Sequence, residues 1–187
     1  MKSDFVFSRN LCAAYIAAIV RSFERQQKSG YLGRTALQKL AYFSKELGVP
    51  IPCSFEIYTY GPYSDAITFD VDSLLADDVL LDQSRDKKYS NYKLGPRAND
   101  FFSLMESEVA DWTAMIDTVV AVFGGFSPQD LELIATLRFV AQRQRTIGQS
   151  GPTRESVVDE FRQIKKNKFS IDEINRWYDA LKNSKLV

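Results

Sequence analysis

The side chains in this sequence that could do chemistry are two cysteines, a serine behind a Gly-Pro-Tyr, and a run of carboxylates. Cys12 and Cys53 are far apart and stand in no metal-ligand spacing. One disulfide is open to them, but two free, buried thiols are the expected state in a reducing cytosol. Ser64 follows Gly61-Pro62-Tyr63 and has no base to activate it, because the chain contains no histidine. That lack also removes the commonest general base and the commonest metal ligand. Asp70 and Asp72 are two residues apart, so on a helix they point to different faces and form no carboxylate pair. A Gly-rich phosphate loop and a zinc-type cysteine set are both missing. These residues argue against an enzyme, and no catalytic residue, metal or cofactor is expected.

Charge patterning is more informative. Between Lys45 and Arg85 the chain has no Lys or Arg, yet it holds Glu46, Glu56, Asp65, Asp70, Asp72, Asp77, Asp78 and Asp82. An acidic surface of this kind is repelled by nucleic-acid phosphates and suits a basic protein. The next stretch is the reverse. Arg85, Lys87, Lys88, Lys93 and Arg97 cluster with Tyr89 and Tyr92, a set that could grip phosphates or stack on bases. It could equally grip an acidic protein surface or serve as a solvated hairpin with edge-protecting lysines. Most of a further basic run in the tail, Arg138 to Lys168, is expected to face solvent.

These residues need elements to hold them. Apolar residues recur every three or four positions from Asn10 to Gln27, with Ser8 as candidate cap, and predict a first helix. A second spans Thr35 to Leu47 and stops at Gly48 and Pro50. Ser54 to Tyr60 alternates as a short strand, and Gly61-Pro62 reads as a turn. A third helix starts near Ser64 and buries Ile67, Val71, Leu74 and Leu75. Val79 to Leu81 and Tyr89 to Leu94 form a hairpin, followed by a helix with Phe101, Met105, Val109 and Trp112 on one face. Helices are then expected over Ala114 to Phe123, from Ser127-Pro128 to about Gln144, over Thr153 to Lys166, and from the Ser170–Glu173 capping box onward. The last would turn Ile171, Ile174, Tyr178 and Leu181 inward.

The 187 residues suit one domain with a helical extension, and 45% apolar content allows a sizeable core. Lys and Arg equal Asp and Glu at 24 each, which excludes a surface that is basic throughout. The apolar run Leu11 to Val20 is too short to span a membrane and lacks a cleavage site. A cytoplasmic location is expected. The predicted fold is mainly α with a small antiparallel β-hairpin (α+β). Residues 1–112 form a winged helix-turn-helix-like core, and 113–187 form a helical segment packed on it as one compact unit.

Leu37-Gln38-Lys39-Leu40-Ala41-Tyr42-Phe43 resembles a signature of the Panacea family of SocA-like antitoxins, and Tyr60-Gly61-Pro62-Tyr63-Ser64 resembles that family's second signature. The Gly-Pro-Tyr-Ser form is closer to the related YwgA-like group, as are Leu131-Glu132-Leu133-Ile134-Ala135-Thr136 and the tail Phe161 to Phe169. The chain departs from the antitoxins in Tyr63-Ser64 and in its longer helical tail. The resemblance implies a non-catalytic, mixed helical protein that binds a partner, a toxin or another defence- or phage-related protein. The motif residues also have structural readings, with Tyr42 and Phe43 packed and Gln38 and Lys39 making internal polar contacts. The candidate partner-binding set is Gln38, Lys39, Tyr42, Tyr58, Tyr60, Pro62, Tyr63, Ser64, Asp65, Asp70 and Asp72. The alternative, a nucleic-acid-binding regulator, would use Arg85, Lys87, Lys88, Tyr89, Tyr92, Lys93 and Arg97.

Overall fold

Asn10 opens the first helix. Its side chain accepts the backbone N–H groups of Cys12 and Ala13 at 2.9 and 3.2 Å, two of the donors that a helix start leaves without partners. The structure is a computed structural model and describes residues 7, 10–28, 30–86, 89–147 and 151–187. The candidate cap Ser8 lies outside them. Helix α1 spans Leu11–Arg25, and every residue from Cys12 to Val20 is buried. A helix covered on all sides is a core helix. The described residues are mainly helical and carry two small antiparallel sheets. Among the described residues, no single helix is long and apolar enough to cross a membrane.

The chain forms two compact units. In the first, residues 1–55 and 64–126, α1 is surrounded by α2 (Arg34–Glu46), α3 (Asp65–Ala76), α4 (Ala98–Val109), α5 (Thr113–Phe123) and the strand Tyr92–Leu94. Gly48, at φ +107°, ends α2 in a conformation that favours glycine. The rings of Phe43 and Phe123 stack with centroids 4.0 Å apart, joining α2 to α5. The helix after the hairpin is shorter than its apolar spacing predicts. It gives way to a 3-10 turn at Ala110–Trp112, and Trp112 is only half-buried.

The second unit holds residues 56–63 and 127–187. Strands β1 (Glu56–Tyr58) and β2 (Gly61–Tyr63) pair with Tyr58 opposite Gly61. This corrects the sequence reading. Gly61-Pro62 belongs to a strand, and the turn is Thr59-Tyr60. Proline fits there because a two-stranded sheet leaves edges that need no donor, and Gly61 takes φ +87°. Helices α6 (Pro128–Ile147), α7 (Arg154–Lys165) and α8 (Ile171–Asn183) complete the unit. α6 and α8 start at the caps the sequence predicts, and α7 is capped by Thr153, which the sequence reading makes its first residue. Ser127 Oγ accepts from the Asp130 N–H, and reciprocal capping boxes join Thr153 to Ser156 and Ser170 to Glu173. Ile171, expected inside, is exposed because it occupies the first turn of α8, while Ile174, Tyr178 and Leu181 are buried.

The remaining hairpin is in the first unit: β3 (Leu80–Asp82) pairs with β4 (Tyr92–Leu94). Gly95 closes it, since a Cβ there would stand 2.2 Å from the Asp78 carbonyl oxygen.

Candidate functional site

Gln38 of the first motif and Ser64, the last residue of the second, meet in the first unit. Gln38 is buried on α2, and its side-chain amide faces the backbone of Ser64. Nε2 donates to the Ser64 carbonyl at 2.9 Å, and the Ser64 N–H donates to Oε1 at 3.0 Å. Nε2 also reaches the Thr68 hydroxyl at 3.3 Å. Ser64 is the N-cap residue of α3. One amide side chain thus fixes where α3 begins. This explains in physical terms why a glutamine on one helix and the residue after Gly-Pro-Tyr act as a pair. Lys39 and Tyr42 are also buried, with Tyr42 edge-on to Phe55 at 5.3 Å. Gln38, Lys39, Tyr42 and Ser64 therefore belong to the interior and offer no exposed surface to a partner.

Helix α3 separates its carboxylates. Asp70 is 4% exposed, beside the buried Ile67, Val71 and Leu74. It accepts a 2.6 Å hydrogen bond from Asn10 Nδ2. Burial pushes its carboxyl above the ordinary value of 3.8, and the Asn10 bond opposes that rise. Asp70 is thus a correction to the expected acidic surface. Asp65 and Asp72 are exposed, and Phe69 between them is 72% exposed. Positions 65, 69 and 72 fall on one side of the helix. The outer face of α3 is an aromatic ring flanked by carboxylates.

Close by, Cys12 and Cys53 form a disulfide across 41 residues, with Cα atoms 6.8 Å apart. The expectation of two free thiols is overturned. The Cys12 position at the start of α1 and the chain leaving α2 through Pro52 bring the two sulfurs within bonding reach.

The basic hairpin is less available than its composition suggests. Tyr92 is buried, and its N–H donates to the Leu32 carbonyl at 2.9 Å. The Arg97 guanidinium lies 4.3 Å from the Phe7 ring centroid, and Lys93 Nζ is 3.9 Å from Glu24. Arg85 and Tyr89 are exposed. Lys87 and Lys88 lie outside the described residues.

In the second unit, Tyr58 and Tyr60 are 55% and 58% exposed, Tyr63 is half-buried and Pro62 is buried. The Tyr58 and Tyr63 rings sit 5.3 Å apart. A buried charge cluster secures this hairpin. Lys165 Nζ donates to the Thr59 carbonyl at 2.8 Å and pairs with Glu132 at 2.9 Å. Lys168 Nζ also binds the Glu132 carboxylate, at 2.7 and 2.8 Å, and stands 5.0 Å from the Tyr60 ring centroid. Burial pushes the Lys165 ammonium below its ordinary value, and Glu132 opposes the shift. Lys165 is a buried exception in the tail's basic run, most of which is expected to face solvent. Its signal was spacing: Val157, Phe161 and Lys165 share one side of α7.

No known family description matches the chain. The chain is similar to the uncharacterised protein YwgA of Bacillus subtilis (strain 168), with 27% identity over 112 residues, 58% of this chain. The match spans 64% of that relative's own length.

Proposed function

We propose that this chain is a non-enzymatic protein-binding module that holds a basic partner on the outer face of α3. The observation that carries the reading is the stripe Asp65, Phe69 and Asp72. A large apolar ring that is 72% exposed keeps its contact area in water unless something covers it. Aromatic anchors supply much of the energy of protein interfaces, and the flanking carboxylates favour lysine or arginine on the opposing surface. The same carboxylates repel a phosphate backbone. By its motifs the chain resembles SocA-like antitoxins, and the partner is then a toxin or another defence- or phage-related protein. The sequence α1, α2, α3, β3–β4 is read as a winged helix-like scaffold turned to protein contact, on the strength of element order.

The test is co-purification with the product of the neighbouring gene. Phe69→Ala should weaken the complex at least tenfold, and Asp65→Lys with Asp72→Lys should do so more strongly at low salt. Both variants change exposed side chains and should melt within a few degrees of the parent. Undiminished binding in both would remove α3 from the interface. Asp70→Lys is not a test of binding, because it places a charge in the interior.

A further inference from the structure

We infer that Cys12, Cys53 and Asp70 form a site for one soft divalent cation, such as zinc, that opens when the disulfide is reduced. The two sulfurs and an Asp70 carboxylate oxygen all lie within 4.8 Å of one another. They line a solvent-open cleft of about 440 Å³ together with Asp65 and Phe69. The cleft leaves room for a water as fourth ligand.

Charge decides between the two uses a reduced pair could have. A free thiolate nucleophile needs positive surroundings. This cleft offers Asp65 and Asp70 instead, which oppose a bare thiolate and favour a dication. Thiolate donors select zinc-like metals over magnesium or calcium. The supporting shell is also present. Asn10 donates to one Asp70 oxygen while its own side-chain oxygen holds the Cys12 and Ala13 amides. The other Asp70 oxygen remains for a metal, and ligating carboxylates are held in this way. Two thiolates at metal–sulfur bonds of about 2.3 Å sit roughly 3.7 Å apart on a tetrahedral ion. A Cα separation of 6.8 Å accommodates that after side-chain rotation.

The chemistry balances. A dithiol reductant gives two electrons and two protons to the Cys12–Cys53 bond and becomes a disulfide itself. The two thiols then lose their protons as the dication binds. The cleft borders Asp65 and Phe69 of the proposed interface, but the site's readout needs no partner, so the two readings fail separately.

The experiment uses the full chain, reduced with a dithiol, desalted without oxygen and titrated with cobalt(II). Thiolate-to-cobalt charge-transfer absorption should rise to saturation at one ion per chain, and zinc should displace it. The oxidised chain should show none of it, and Cys12→Ser should abolish it. Asp70→Asn should weaken binding at least tenfold, and Asn10→Ala roughly tenfold to a hundredfold. Circular dichroism checks that each sample is folded. A reduced, folded parent chain without the thiolate band overturns the site. Parent-like affinity in Asp70→Asn overturns the carboxylate's part in it.

Discussion

The two β-hairpins have strands of equal length, and their turns are held by different means. The turn of β3–β4 is secured by its own neighbourhood, although β4 is also tied to Leu32 through the Tyr92 N–H. Asp82 accepts the N–H groups of Ser84 and Asn91 at 2.9 and 2.8 Å, and the Gly95 N–H returns to the Val79 carbonyl at 2.8 Å. β1–β2 has a two-residue turn and is secured from far along the chain. Lys165 reaches back 106 positions to the Thr59 carbonyl, and Glu132 binds Lys165 and Lys168 together. Local bonds to an exposed carboxylate or between backbone groups cost little desolvation and contribute about 1 kcal/mol each. Buried charges are different. They add little net stability as a set, yet losing one member strands the others. β3–β4 is thus tolerant, and β1–β2 has a single point of failure.

The largest effect should come from that point. Glu132→Ala leaves Lys165, whose side chain is 3% exposed, without its counter-charge. We expect a loss of about 3–5 kcal/mol in chemical denaturation, with faster amide exchange at Tyr58 and Gly61. Glu132→Met combined with Lys165→Met should recover most of the loss, because it removes the charges together. A Glu132→Ala loss under roughly 1 kcal/mol would mean that the charges do not anchor the hairpin.

The same contrast explains what was legible. The helices of the tail could be placed from local chemistry, since Ser127-Pro128, Thr153 and Ser170–Glu173 each carry their own start signal. β3–β4 was legible too, because its apolar strands and polar loop adjoin in sequence. β1–β2 was half-legible. Its first strand alternates, but Gly61-Pro62 imitates a turn, and the bonds that hold the real turn come from α6 and α7. Long-range pairings left no local trace. Cys12 with Cys53 and Gln38 with Ser64 are contacts that no window along the chain contains. Asp70 shows a signal that was present and outweighed. It follows Ile67 by three positions and precedes Leu74 by four, which places it toward the buried side of α3, whereas counting acids along the segment places it on a surface.

The local hairpin should respond less, and with a particular pH dependence. Burial alone would raise the Asp82 carboxyl, but the hydrogen bonds it accepts from Asn91 and Ser84 outweigh this and hold it below its ordinary value of 3.8. A carboxyl depressed in the folded state stabilises above its unfolded value and loses that contribution as pH falls through the folded one. Asp82→Ala should therefore cost about 1 kcal/mol at neutral pH. The difference from the parent should stay constant between pH 6 and 8 and close below 3.8. A difference that instead persists unchanged in acid would assign the effect to packing.

The smallest effect sharpens the contrast within the charged anchor. Lys168 shares Glu132 with Lys165, but its side chain is 38% exposed against 3%. Water and salt screen the Lys168 pair, and its loss leaves Glu132 still bound to Lys165. Lys168→Met should cost under about 1 kcal/mol, and added salt should shrink that further. The cost of Glu132→Ala should change little with salt, because the Lys165 pair is shielded from ions. Equal salt sensitivity in both variants would show that depth does not separate the two lysines. Unequal sensitivity, measured by denaturation at low and high ionic strength, would place the strength of the anchor in the Glu132–Lys165 pair and leave Lys168 the lesser task of covering the Tyr60 ring.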